Sequence, residues 1–219
     1  PLDNRHQHWY VASAKGVHQM SIVKLTESTG AGDLATPKVL IFLFSYGGLD
    51  PNTLWSVLAE TKAFDTKGMK YLLMNVHGDA LISRSRSKAL SVFLESDCDV
   101  CFMVDHDVEW KSGALLLTAL KAKEHGCMVA GLYACRGMGN GISSRMKDRE
   151  AKFKASEDKL LEAEYLATGF LAIPRVVAEE VKAYGLAVAT HHGADISLSA
   201  SELHECLHND GSSFYDFFR

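Results

Sequence analysis

No apolar run in the chain reaches the roughly 18 residues that a membrane-crossing helix needs, and no secretory signal pattern opens it. The expectation is a protein with no transmembrane segment, working in the cytoplasm. Cationic charge is not in excess either. Lys and Arg number 23 against 27 Asp and Glu, a net charge of −4. That balance gives no case for a nucleic-acid footprint over the whole surface and leaves room only for a local basic groove. Cysteines are five, an odd number, at positions 98, 101, 127, 135 and 206, mostly in or beside apolar runs. They suit reduced, buried thiols and not a disulfide framework. Cys98-x-x-Cys101 lacks the second Cys pair of a zinc site, and strand alternation there leads toward a core. Internal repeats are missing, as are the Gly-rich dinucleotide fingerprint and a Walker-type lysine.

What the chain has is ordinary globular composition, 47% hydrophobic and 23% charged over 219 residues, enough for one large domain. Residues 1–36 read as an N-terminal extension and linker, in which 9–12 and 21–25 have the makings of short strands. Apolar runs at 39–44, 70–76, 100–104 and 128–133 are too short for helices and read as buried strands. Helical patterns fill the gaps at about 52–64, 81–95 and 111–125. Residues 164–173 resume as a strand with a glycine break, and Pro174 suits the first turn of a helix reaching Tyr184. This alternation predicts an α/β three-layer sandwich with a mostly parallel central sheet and right-handed crossovers. From 135 to 159 the pattern lapses. The Gly-rich, cationic stretch 137–154 reads as a mobile loop that orders over a ligand or as a permanently disordered surface insertion.

The stretch 97–110 organises the rest. Its apolar run ends abruptly in Asp105-His106-Asp107, two carboxylates one residue apart. In open α/β sheets ligands bind outside the carboxyl ends of the strands, where paired carboxylates with substrate phosphates hold a hard divalent ion. The same residues also suit a solvated turn capping the helix near Lys111. Upstream, Arg84, Arg86 and Lys88 alternate at the start of a helix. Arg84 and Lys88 share a face and are expected to reach one anion, with Arg86 turned away. Gly47-Gly48 follows the first apolar run, so Ser45 and Tyr46 beside it are candidates for a base or ribose, or for plain turn chemistry. Thr168-Gly169 interrupts the later strand, as a substrate floor or a bulge. His204 and His208, four apart, have a spacing that binds metal, though surface histidines share it.

Taken in order, the buried first strand, Ile82-Ser83-Arg84-Ser85-Arg86, Met103-Val104-Asp105-His106-Asp107 and Thr168-Gly169-Phe170-Leu171-Ala172-Ile173 resemble the GT-A glycosyltransferases. The likeness is to family-2-like and mannosyltransferase-like members and spans about residues 38–219. It implies that Asp105 and Asp107 are the DxD carboxylates holding Mn2+ or Mg2+ against a nucleotide-sugar diphosphate. It also implies that Arg84 lies near that diphosphate and Ser45 at the nucleotide edge. Tyr46, Lys88 and His106 join them as nucleotide-sugar contacts, and Thr168 and Gly169 lie on the acceptor side. The chain departs from the family pattern at Ser87-Lys88, where the motif ends in Asn. It also stops at Arg219, before the Glu-Asp segment that carries the family's acceptor-side base. The single catalytic domain, 37–219, is thus expected to lack its C-terminal end, with the base beyond Arg219.

The resulting expectation is a metal-dependent glycosyltransferase moving a sugar from a UDP- or GDP-sugar to an acceptor hydroxyl. Carbohydrate, lipid, protein and modified nucleobase acceptors all stay open. A nucleotidyltransferase is an alternative, although the loop 45–52 has no basic residue. A catalytically inactive sugar-nucleotide or glycan-binding module is another.

Overall fold

The computed structural model describes residues 21–28, 36–78, 81–133, 143–147, 160–191, 205–207 and 213–215. In chain order the elements are β1 (Ser21–Glu27), β2 (Val39–Ser45), α1 (Pro51–Thr66), β3 (Tyr71–His77), α2 (Ile82–Glu95), β4 (Val100–Asp105) and α3 (Ala114–His125). They continue with β5 (Val129–Ala130), β6 (Arg145–Met146), β7 (Ala163–Tyr165), β8 (Phe170–Pro174), α4 (Arg175–His191), β9 (Glu205–Leu207) and β10 (Ser213–Tyr215). The main sheet has six strands in the order β1-β3-β2-β4-β8-β5. At its centre β3, β2 and β4 are parallel, with Ser45 opposite His77 and Phe44 opposite Asp105. β1 and β8 run against their neighbours, and β5, antiparallel to β8, runs with β4.

Alternation along the buried strands sorts the core into two layers. Val39, Ile41 and Leu43 pack with Val57 and Phe64 of α1 and with Leu115, Leu116 and Ala119 of α3. Leu40, Phe42 and Phe44 face the other way, against Ala89, Leu90 and Phe93 of α2 and Ala178 of α4. Helices therefore cover both faces, as the strand-helix alternation predicts, but the sheet is mixed and not mostly parallel: two of its five strand pairings are parallel and three antiparallel.

Two expectations need correction. The stretch 21–27 does not belong to a separate extension: β1 joins the main sheet and covers the outer edge of β3. The buried strand expected over 128–133 shortens to the half-buried β5, which keeps the direction of β4 without lying beside it. That place is taken by β8, buried throughout and paired on both sides, which leaves β5 as a two-residue edge strand. The run 164–173 breaks at the Thr168–Gly169 turn, and its first part forms β7, paired with β6 in a separate ribbon. The expected strand at 9–12, most of the loop at 137–154 and the pair His204/His208 lie outside the described residues.

Two helix ends are finished by distant side chains. α3 has Gly113 at its N-cap, with φ +88 and no capping side chain of its own. Glu60 of α1, 1% exposed, supplies the acceptors instead. Its carboxyl oxygens take hydrogen bonds from Gly113 N (2.8 Å), Leu116 N (2.9 Å) and the Trp110 indole N–H (3.1 Å). At the carboxyl end of α2, the Arg175 guanidinium donates to the carbonyls of Phe93, Leu94, Ser96 and Cys98 and lies over the Phe93 ring. Between those elements Cys98 and Cys101 are free and buried, and burial pushes the Cys101 thiol well above its ordinary range.

Glu60→Ala would leave three N–H groups in the interior without an acceptor. The expected loss of stability is on the order of 3 kcal/mol. Urea unfolding reads it as a lower midpoint at an unchanged slope, and an unmoved midpoint would show that Glu60 is not the cap of α3.

Candidate functional site

The path of the chain through the sheet places a cleft. From β2 the chain crosses through α1 to β3 on one side, then returns through α2, on the opposite face, to β4 on the other side of β2. The loops after β2 and β4 lead to α1 and α3 on one face, the loop after β3 leads to α2 on the other, and a crevice opens between them at the carboxyl edge. It is about 320 Å³. Phe44, Ser45 and Tyr46 line it from β2, Asp105, His106 and Asp107 from β4, Val76 from β3, and Ile82 and Ser85 from the first turn of α2. Leu81, at the N-cap of α2, gives no side-chain cap hydrogen bond. The positive end of that helix dipole thus borders the cleft.

Asp105 does not face the cleft alone. Its Oδ1 accepts from Arg86 Nη2 at 2.7 Å, with the arginine side chain 8% and the aspartate 30% exposed. The guanidinium carbon stands 5.6 Å from the Phe44 ring centroid, and Arg86 Nε has no hydrogen-bond partner among the described residues. The expected helix register therefore needs revision, because Arg86 turns inward while Arg84 is exposed and Lys88 half-buried. A signal for this exists in the sequence. Ala89, Leu90 and Phe93 form the buried stripe of α2, and stepping back along the same face reaches Arg86. Pairing Arg84 with Lys88 as the anion-binding face hid that continuity.

A second set of residues closes around Asp105 from β8. Asp105 N donates to Gly169 O at 3.0 Å, and Gly169 N donates to the Tyr133 hydroxyl at 3.1 Å. A Cβ on Gly169 would sit 2.5 Å from Tyr133 Oη and 2.9 Å from Asp105 Oδ2, so the glycine is what lets the two oxygens crowd this point. Burial, chiefly, pushes the Tyr133 hydroxyl above its usual range, and the nearby Asp105 charge adds to the push. Gly169, assigned from sequence to the acceptor side, thus lies directly against Asp105, with half-buried Thr168 beside it.

On the opposite side of the cleft, Ser45 Oγ is 3.0 Å from Asn75 Oδ1 and 3.2 Å from His77 Nδ1, a polar cluster at the ends of β2 and β3. Tyr46 is 53% exposed at the rim. His106 is half-buried and its carbonyl accepts from Asp50 N, while Asp107 is exposed. No group of three or more His, Cys, Asp or Glu side chains capable of holding a metal occurs among the described residues. The donor chemistry at Asp105 and Asp107 nevertheless suits a hard ion such as Mg2+ or Mn2+, which takes one or two carboxylates and completes its shell with water and phosphate. Asp107 offers an exposed carboxylate, and Asp105 has one oxygen beyond its Arg86 contact.

No protein-family model matches the chain, and no curated protein matches it. Among solved structures it is similar to the crystal structure of A197 from STIV, at 23% identity over 65% of this chain and 68% of that one, with a TM-score of 0.47.

Arg86→Ala would strand the Asp105 carboxylate next to buried apolar surface. Because Asp105 keeps 30% exposure, the expected cost is about 2–3 kcal/mol, at the low end for a broken buried pair, against about 0.5 kcal/mol or less for Arg84→Ala. Equal losses in chemical denaturation would contradict the inward register of Arg86. For Gly169→Ala, the crowding predicts destabilisation by about 1–3 kcal/mol, with a smaller penalty in a Tyr133→Phe background. An additive double mutant would show that the tyrosine oxygen is not what excludes a side chain there.

Proposed function

We propose that this chain is a GT-A glycosyltransferase that uses a divalent cation to take a sugar from a UDP- or GDP-sugar. The observation that carries the reading is the composition of one crevice. The carboxylate that ends a buried strand, a second one in the turn after it, the amino end of α2 and the polar end of β2 meet at the switch point of the sheet. Each part suits a part of a nucleotide sugar. The Ser45, Tyr46 and His77 side offers hydroxyl and ring groups for ribose and base. The first turn of α2 offers backbone N–H groups and a favourable dipole to phosphate. Asp107, with the second oxygen of Asp105, would hold Mn2+ or Mg2+. Bound there, the cation supplies Lewis-acid neutralisation of the departing diphosphate. An α/β sheet covered by helices on both faces is compatible with that reading.

In this reading Asp105 and Asp107 do different work. Arg86 compensates the charge of Asp105 and fixes its direction, whereas Asp107 presents its charge to the cleft. Apolar Phe44, Val76 and Ile82 form one wall and limit water around the diphosphate. The Arg86–Asp105 pair also favours a second reading, a sugar-nucleotide-binding module that needs no metal, since a neutralised carboxylate attracts a cation less. Metal dependence separates the two.

Calorimetry with UDP and GDP is expected to show binding in Mn2+ that a chelator abolishes, and Asp107→Asn is expected to weaken it by about tenfold or more, the loss of one charge-assisted contact. Release of free UDP or GDP from a panel of sugar nucleotides tests the transferase itself. Affinity unchanged by chelator, with no nucleotide released, would leave only the binding module.

A further inference from the structure

An interior helix face is ordinarily apolar, yet α1 turns Thr53, Ser56 and Glu60 inward, at 0%, 5% and 1% exposure. Their spacing puts them in one row, and each serves the connection between β4 and α3. Thr53 Oγ1 stands 2.9 Å from His106 O and 3.0 Å from Val108 O. Ser56 Oγ accepts from Trp110 N at 3.1 Å, and Glu60 takes Trp110, Gly113 and Leu116. A row of buried polar groups is tolerable only when each finds its partner, so this row admits one shape of the connection. A hydroxyl has a single proton, which Thr53 shares between the two carbonyls on either side of Asp107. Asp50 N adds a bond to His106 O at 2.9 Å, and Val108 N closes the turn on Asp105 O at 3.3 Å.

We propose that Thr53 is a positioning residue. Its hydroxyl, by tying the carbonyls of His106 and Val108 to α1, fixes the direction in which the Asp107 carboxylate leaves the turn, and with it the affinity of the cleft for a nucleoside diphosphate with a divalent cation. This rests on the proposed function for its ligand but not for its geometry. The helix that follows the Ser45–Tyr46 edge thereby sets the Asp107 edge, so both sides of the cleft are held by one element.

Thr53→Val keeps the shape of the side chain and removes the donor, while Thr53→Ser keeps the donor. Both go into the whole chain for two measurements: amide hydrogen exchange without ligand, and calorimetric affinity for UDP and GDP in Mn2+. In Thr53→Val, exchange across residues 107–110 is expected to quicken by about tenfold and nucleotide affinity to fall by about fivefold, the scale of one lost hydrogen bond. Thr53→Ser is expected to stay within about twofold of the unaltered chain on both measures. Exchange at 107–110 unchanged in Thr53→Val overturns the proposal. So does quickening spread evenly over β2 and β4, which marks general destabilisation, and so does a Ser variant that behaves as Val. Should the unaltered chain bind neither nucleotide, the glycosyltransferase reading falls, and the exchange comparison alone decides whether Thr53 holds the turn.

Discussion

Strand β2 is buried along its entire length, and that constraint arranges the rest of the molecule. A strand with water on neither face must be covered twice, so α1 and α3 take one side and α2 and α4 the other. The chain can then reach β3 and β4 only by leaving β2 over one face and returning over the opposite one. The crevice at the carboxyl edge is a by-product of that route, and polar chemistry begins at the strand ends, with buried Ser45 on β2 and half-buried Asp105 on β4. Nothing in this requires the cleft residues to stabilise the fold.

The charged groups inside follow a common rule. Glu60 serves the open N–H groups at the start of α3, Arg175 the open carbonyls at the end of α2, and Arg86 a carboxylate at the end of a strand. Burying charge gains little net stability, but removing one partner leaves the other without compensation. Such groups therefore specify geometry more than they add stability. Each marks a junction where the backbone would otherwise have several ways to go.

The central strands were legible because continuous apolar runs of this length, bounded by turn residues, have few alternatives. Residues 39–44, 70–76 and 100–104 became β2, β3 and β4 nearly to the residue. The insertion of β8 between β4 and β5 was not legible, because strand order is decided by pairing between residues 41 to 74 apart in the chain and leaves no local trace. Helix α3 began three residues later than its periodicity suggests, since the segment before it answers to Glu60 and not to its own propensity. In the candidate site the Asp105–Asp107 pair stood out as charge ending an apolar run. Arg86 did not, because its place on the buried stripe of Ala89, Leu90 and Phe93 was overshadowed by the cations on either side of it. Thr53 gave no signal either: a small hydroxyl in a helix reads as neutral until its partners are seen.

The antiparallel strand β8 has a consequence for how the chain is made. Synthesis delivers β1, β2, β3 and β4 first, and pairs three of them in parallel around β2, but the far edge of β4 then has no neighbour. Its amide and carbonyl groups from Val100 to Val104 wait for Phe170 to Pro174, and the end of α2 waits for Arg175. At ~5–20 residues per second that interval is on the order of ten seconds. Throughout it the nascent chain offers a flat, apolar sheet edge, the surface most readily captured by another unfinished copy. Crowded polysomes are therefore a hazard for this protein, and a chaperone that shields the edge of β4 until residue 174 emerges would protect the fold more than one that acts after release.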